Sequence, residues 1–171
     1  MLSIEPYSSV GEVLFGMTEK QVEKIVGLPE YRDTSDTMTS EMRKGINYQY
    51  DSGKKLACIT FDSRAIVRNS IELCGKPLSL GLMENLKILN SLTEEVIKKQ
   101  HPFMYIYPEL GLVLYMRKTY DFILGTPQRI GSYMIAACNK SIIEKFQNIS
   151  HSKEEAVYSQ IMNAIDNWVQ E

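Results

Sequence analysis

The chain has 171 residues, 44% of them hydrophobic and 23% charged, with a formal net charge of −2. A chain of this length buries roughly 70% of its unfolded surface, so one core without disulfide or metal staples is expected. The balanced charge excludes a general nucleic-acid binder, whose phosphate contacts leave a basic footprint.

The opening residues, MLSIEPYSSVGEV, lack a basic segment followed by an apolar run, so no signal peptide is expected. No apolar stretch reaches the roughly 18–20 residues that span a bilayer, so no membrane partner is expected and the cytoplasm is the default address. Cys58, Cys74 and Cys138 are widely spaced and each lies in an apolar segment. A buried, reduced thiol is expected at each.

The first element is a short helix. Thr18 and Gln21 have the spacing of a capping box, Met17 and Val22 that of a hydrophobic staple, and Val22, Ile25 and Val26 form an apolar stripe. Gly27 and Pro29 stop the helix after about nine residues. So short a helix is marginal alone and must dock on something. Residues 30–45, EYRDTSDTMTSEMRKG, read as a polar loop. Ile46–Asp51, Lys54–Phe61 and Ala65–Cys74 then read as three strands, joined by Asp51-Ser52-Gly53 and Asp62-Ser63-Arg64. Turns this short imply an antiparallel meander.

A similar order follows. Leu80-Gly81-Leu82-Met83 echoes Phe15-Gly16-Met17, and Leu82, Leu86 and Leu89 form a helical stripe that Asn90 can end. Ser91 and Glu94 offer a capping box for a helix to about Gln100, stopped by Pro102. Strand-like runs are Phe103–Tyr107, Leu112–Arg117, Tyr120–Leu124 and Arg129–Ala137. Asn139–Asn148 reads as a short helix with Ile142, Ile143 and Phe146 inward. Ser152 and Glu155 open an amphipathic helix through Val157, Ile161, Ala164, Ile165 and Trp168. The expected fold is α+β, with short helices packed on an antiparallel sheet. Its parts are two tandem similar halves, 1–76 and 77–138, and a C-terminal helical segment, 139–171, in one compact unit.

No catalytic set emerges. His101 and His151 are the two histidines, too few for a multi-histidine metal site. C-x-x-C, G-x-S-x-G, H-E-x-x-H, phosphate-loop and dinucleotide fingerprints are absent from the sequence. Glu94-Glu95 and Glu154-Glu155 fall in first turns of expected helices, where the helix dipole accounts for them. No catalytic residue, cofactor or metal is therefore assigned. The positive signal is tyrosine. Tyr48 and Tyr50 alternate, as do Tyr105 and Tyr107, which puts each pair on one sheet face. Half-burial explains tyrosine in strands; a face lined for binding another protein is the functional alternative.

The run F-G-M-T-x-x-Q-V-x-x-I-V-G-x-P at Phe15–Pro29 resembles the opening of α+β modules in outer-membrane-assembly lipoproteins of the SmpA/OmlA type. It is also similar to β-lactamase-inhibitor-protein-like domains. The element order through Ile46–Leu73, and Tyr107-Pro108-Glu109-Leu110-Gly111-Leu112, extend the likeness. The resemblance implies a non-catalytic protein-binding module. With no lipoprotein signal in view, the expected form is a bacterial immunity-type inhibitor that occludes a toxin or enzyme. Tyr48, Tyr50, Tyr105 and Tyr107 would form the contact, and Asp33, Asp36 and Glu41 would steer a basic partner. The rival expectations are an assembly subunit docking its C-terminal helix on a partner or a second copy of itself, and an enzyme with a carboxylate site between the halves.

Overall fold

The computed structural model describes residues 1–35, 37–99, 104–121 and 126–148. The chain begins with three short strands, β1 (Leu2–Glu5), β2 (Ser9–Val10) and β3 (Val13–Leu14), before helix α1 (Glu19–Val26). Four strands follow: β4 (Tyr31–Thr34), β5 (Thr39–Arg43), β6 (Ile46–Tyr50) and β7 (Leu56–Asp62). Helix α2 (Ser63–Asn69), strands β8 (Ile71–Leu73) and β9 (Lys76–Pro77), and helix α3 (Leu82–Asn90) come next. Four more strands, β10 (Ile97–Lys99), β11 (Met104–Tyr107), β12 (Leu112–Asp121) and β13 (Thr126–Cys138), lead into helix α4 (Lys140–Asn148).

The fold is α+β, as expected. Its large sheet runs β10-β11-β12-β13-β7-β6-β5-β4 and is antiparallel throughout. A small sheet, β3-β2-β1-β8-β9, contains the parallel pair β1–β8. A helix followed by four consecutive antiparallel strands occurs twice, α1 with β4–β7 and α3 with β10–β13, and the two sets meet where β7 pairs with β13. The helices that follow differ: α2 packs in the core on one face of the large sheet, α4 in the cluster on the other. Descent of both sets from one repeat stays an expectation.

The opening helix forms where its punctuation places it. Gln21 Oε1 accepts the Thr18 backbone N–H at 2.8 Å and the Thr18 hydroxyl at 2.9 Å. Gly27 ends the helix at φ +91°, a conformation natural to glycine. Val22 is fully buried, whereas Ile25 is exposed, so the stripe is narrower than the pattern suggested. Docking comes through backbone: Gly16 N–H donates to Leu56 O, and Leu56 N–H to Met17 O, both at 2.8 Å.

Three expected elements and one expected buried thiol are corrected. Residues 30–45 form no plain loop but mostly the β4–β5 hairpin: polar residues suit β4 at the sheet edge, and the buried Glu41 and Arg43 of β5 pair with each other. Ala65–Cys74 is not a third meander strand. Asp62 caps α2 by accepting the Ala65 N–H at 2.6 Å, and Ser70, at φ +49°, ends it before β8. One side-chain cap thus outweighs the strand preference of Ile66-Val67. The helix expected after Ser91 is absent over 91–99, where a turn leads to β10; the Ser91 hydroxyl donates instead to Ile88 O at 2.7 Å. Cys74 is exposed, at φ +50° in the turn between β8 and β9. Asp36, His101, His151 and the expected helix at 152–169 lie outside the described residues. Among the described residues no helix is long and apolar enough to cross a membrane.

Candidate functional site

Cross-strand register puts the tyrosines together. Tyr48, Ile59, Ala137, Leu112 and Tyr107 form one row across the large sheet, and Ile46, Phe61, Ile135, Leu114 and Tyr105 form the next. Residues paired in such rows share a face. Tyr48 and Tyr107 are four strand spacings apart in their row, roughly 19 Å. That face is covered: Val22 of α1, Ile66 of α2, Leu89 of α3, and Ile4 and Leu73 of the small sheet share one core with Tyr48, Tyr50 and Tyr107. Tyr48 is 4% exposed, Tyr50 and Tyr107 are 0%, and Tyr105 is half-buried beside Lys98.

The tyrosines therefore lie beneath the helices rather than on an open face. Two of the hydroxyls are served internally: Arg43 Nη1 donates to Tyr50 Oη at 3.2 Å, and Tyr107 Oη to Asn90 Oδ1 at 3.2 Å. Burial pushes the Tyr48 and Tyr107 hydroxyls up to about 12 and raises that of Tyr50 further. The opposite face is closed over β11–β13 by α4, with Ile143 and Phe146 packed among Met104, Ile106, Val113, Tyr115, Met134 and Ala136. Apolar residues on both alternations of β11–β13 are the sequence signal of this two-sided burial.

Glu41 is likewise no surface charge. It lies in β5 with its side chain fully buried, directly opposite Arg32 of β4 in the register and two residues from Arg43. Arg32 Nε donates to Glu41 Oε1 at 2.7 Å, Arg32 Nη2 also reaches that oxygen, and Arg32 is 3.4 Å from Glu19 Oε2. Arg43 Nη1 lies 2.5 Å from Glu41 Oε2, an ionic contact rather than an aligned hydrogen bond. Arg43 Nε donates to Gly27 O at 2.8 Å, its guanidinium sits 5.5 Å from the Tyr48 ring centre, and its Nη2 has no hydrogen-bond partner among the described residues. The network ties β5 to β4 and to the end of α1. Asp33 is half-buried on β4.

Beside this network is a cavity of about 380 Å³ between α1, β5, β6 and the end of α2. Arg43, Lys44 and Arg68 line it with Ile25, Ile46 and Tyr48. The described lining residues include three cations and no carboxylate, which favours anionic over cationic groups.

The same region holds an open sheet edge. Among the described residues, strand β4 pairs with β5 alone. Ser35 N–H donates to Met38 O at 2.9 Å across the hairpin end. Antiparallel alternation then turns Tyr31 and Asp33 toward β5, and leaves the N–H and C=O groups of Arg32 and Thr34 pointing outward. Tyr31, Arg32 and Thr34 are exposed. Next to them along the chain, Leu28 is 76% exposed and Ile25 37%. Reading residues 30–45 as a loop concealed this edge. At the far edge, β10 carries Lys98 and Lys99, a common guard against strand addition.

Glu94 and Glu95 lie in the turn before β10, not at a helix start; Thr93 Oγ1 accepts the Glu95 N–H at 3.1 Å and donates to Glu109. Among the described residues no three His, Cys, Asp or Glu side chains gather as a metal site would require. Among the described residues, fold and site define an α+β protein with a largely buried antiparallel sheet whose end strand β4 is paired on one side. Comparisons with protein-family models, with curated proteins and with solved structures return no match.

Proposed function

We propose that the chain is a non-catalytic protein-binding module that engages its partner at β4. The supporting observation is the open edge, with outward backbone groups at Arg32 and Thr34 and exposed Leu28 and Tyr31 beside it. An extended partner segment adds to such an edge through main-chain hydrogen bonds, and flanking apolar side chains supply desolvated contact. The most concrete form is the one implied by the resemblance at Phe15–Pro29: an immunity-type inhibitor in the cytoplasm that blocks a toxin or enzyme. In this reading binding moves from the tyrosine face to the edge, and Glu41 holds the edge in shape rather than steering a partner.

The test starts from the protein that co-purifies with the chain from its native source, with affinity then measured on the purified pair. Thr34→Pro removes an outward N–H while sparing the ladder to β5. Leu28→Asp places a charge in the apolar contact. Each is expected to weaken binding at least about tenfold, the equivalent of about 1.4 kcal/mol, with an unchanged melting temperature. Full affinity in both variants would remove β4 as the binding edge.

A further inference from the structure

We propose that Cys58 and Cys138 form a reversible disulfide across the seam between the two four-stranded parts of the large sheet. The residues face each other in the β7–β13 register, and their Sγ atoms are 3.1 Å apart. Asn139 N–H donates to Ala57 O at 2.9 Å, which makes Ala57 and Asn139 a hydrogen-bonded pair. By alternation Cys58 and Cys138 occupy the neighbouring non-hydrogen-bonded position. There opposed Cα atoms sit about 4.5 Å apart, within the roughly 4.4–6.8 Å that a disulfide spans, and the side chains approach most closely. Both thiols lie in the cluster under α4, so the bond needs no change of strand register.

The two thiols differ in access. Cys138 is fully buried, and burial followed by the neighbouring Cys58 raises its thiol above the usual range. Cys58 retains slight exposure, so attack begins there. The oxidant is a low-molecular-weight disulfide, RSSR. The Cys58 thiolate attacks one of its sulfurs, giving a Cys58 mixed disulfide and RS⁻. Cys138 gives up its proton to RS⁻ and displaces the second RS⁻, which takes up the proton first lost by Cys58. Two cysteine sulfurs are oxidised by two electrons in all, and RSSR is reduced to two RSH. Helix α4 begins at Lys140, and Ile143 and Phe146 cover the pair, so its local opening admits the oxidant.

The test uses the full native chain incubated with oxidised glutathione, alkylated, and digested without reduction for mass spectrometry. The expected result, in most molecules, is a Cys58 peptide joined to a Cys138 peptide, two hydrogens lighter than the separate peptides and parted by dithiothreitol. Cys74→Ser, at an exposed position, removes the competing thiol without touching the core and is expected to give the same link. Separate, alkylated Cys58 and Cys138 peptides, glutathione retained on either, or a link through Cys74 would overturn the proposal.

Discussion

Glu41 and Arg43 stand two residues apart on β5, their side chains in ionic contact and both sealed from solvent. Neither charge can be rehydrated if the other is removed. Glu41→Leu, which leaves Arg43 without a carboxylate, is therefore expected to cost about 3–5 kcal/mol, and Arg43→Met less, because Glu41 keeps its contact with Arg32. The double variant is expected to recover much of that loss, because a buried ion pair contributes little net stability over apolar residues. Urea denaturation of the three variants checks this. Single losses below about 1 kcal/mol would show that the pair is not what holds the edge hairpin.

Alkaline pH is expected to unfold the chain through its tyrosines. Burial raises the Tyr48, Tyr107 and Tyr133 hydroxyls to about 12, above the ordinary 10. Between these values the native state holds protons that the unfolded chain has lost. Stability is thus fully present below about pH 10 and falls as pH climbs toward 12. Urea midpoints measured from pH 8 to 11.5, with tyrosinate absorbance followed alongside, test this. A flat midpoint to pH 11.5 would contradict it.

Tyr133 anchors the approach to α3. Its hydroxyl donates to Ser79 O and accepts from Asn85 Nδ2, both at 2.5 Å. In Tyr133→Phe, Asn85 keeps its bond to Ser79 O at 2.9 Å and its acceptance of the Ser79 N–H at 2.8 Å. The expected loss is about 1–2 kcal/mol, smaller than that of Asn85→Ala, which strips all three contacts. Equal losses in the two variants would argue against this division.

Gly111 sits at φ +60°, and a Cβ there would lie 3.1 Å from both Cys138 O and the Tyr7 ring. Its carbonyl accepts the Cys138 N–H at 2.8 Å. Gly111→Ala therefore combines backbone strain with a clash against main chain, and is expected to lower stability by about 1–3 kcal/mol. Gly16→Ala, also at positive φ but with nothing within 4 Å of the added carbon, is the comparison, since it carries the strain alone. Equal losses would assign the whole effect to strain.

What could be read from the chain was what its neighbours in sequence decide. Thr18, Gln21, Gly27 and Pro29 act within one helix, and its start and stop are local. The alternation at Tyr48/Tyr50 and Tyr105/Tyr107 was equally local, and register does put those residues on one face. Which face the helices cover depends on the small sheet, whose β1–β8 pair joins residues nearly seventy positions apart and has no local signature. Glu41 looked like a loop acid because its partners Arg32 and Arg43 are ordinary surface residue types. Asp62 looked like a turn residue because a cap and a turn use the same side chain for the same bond. The open edge at β4 stayed hidden for the same reason: polar strands and polar loops share a composition.

The seam at β7 also governs the order in which the protein can be made. Strand β7 gains β6 as soon as the first half leaves the ribosome, but its other side must wait for residues 126–138. At about 5–20 residues per second, the apolar run Leu56–Phe61 keeps one backbone edge open for several seconds of synthesis. A nascent chain in that interval offers a sticky template to its neighbours on the same message. The pairing that unites the finished sheet is thus also the step at which crowded translation exposes it to aggregation.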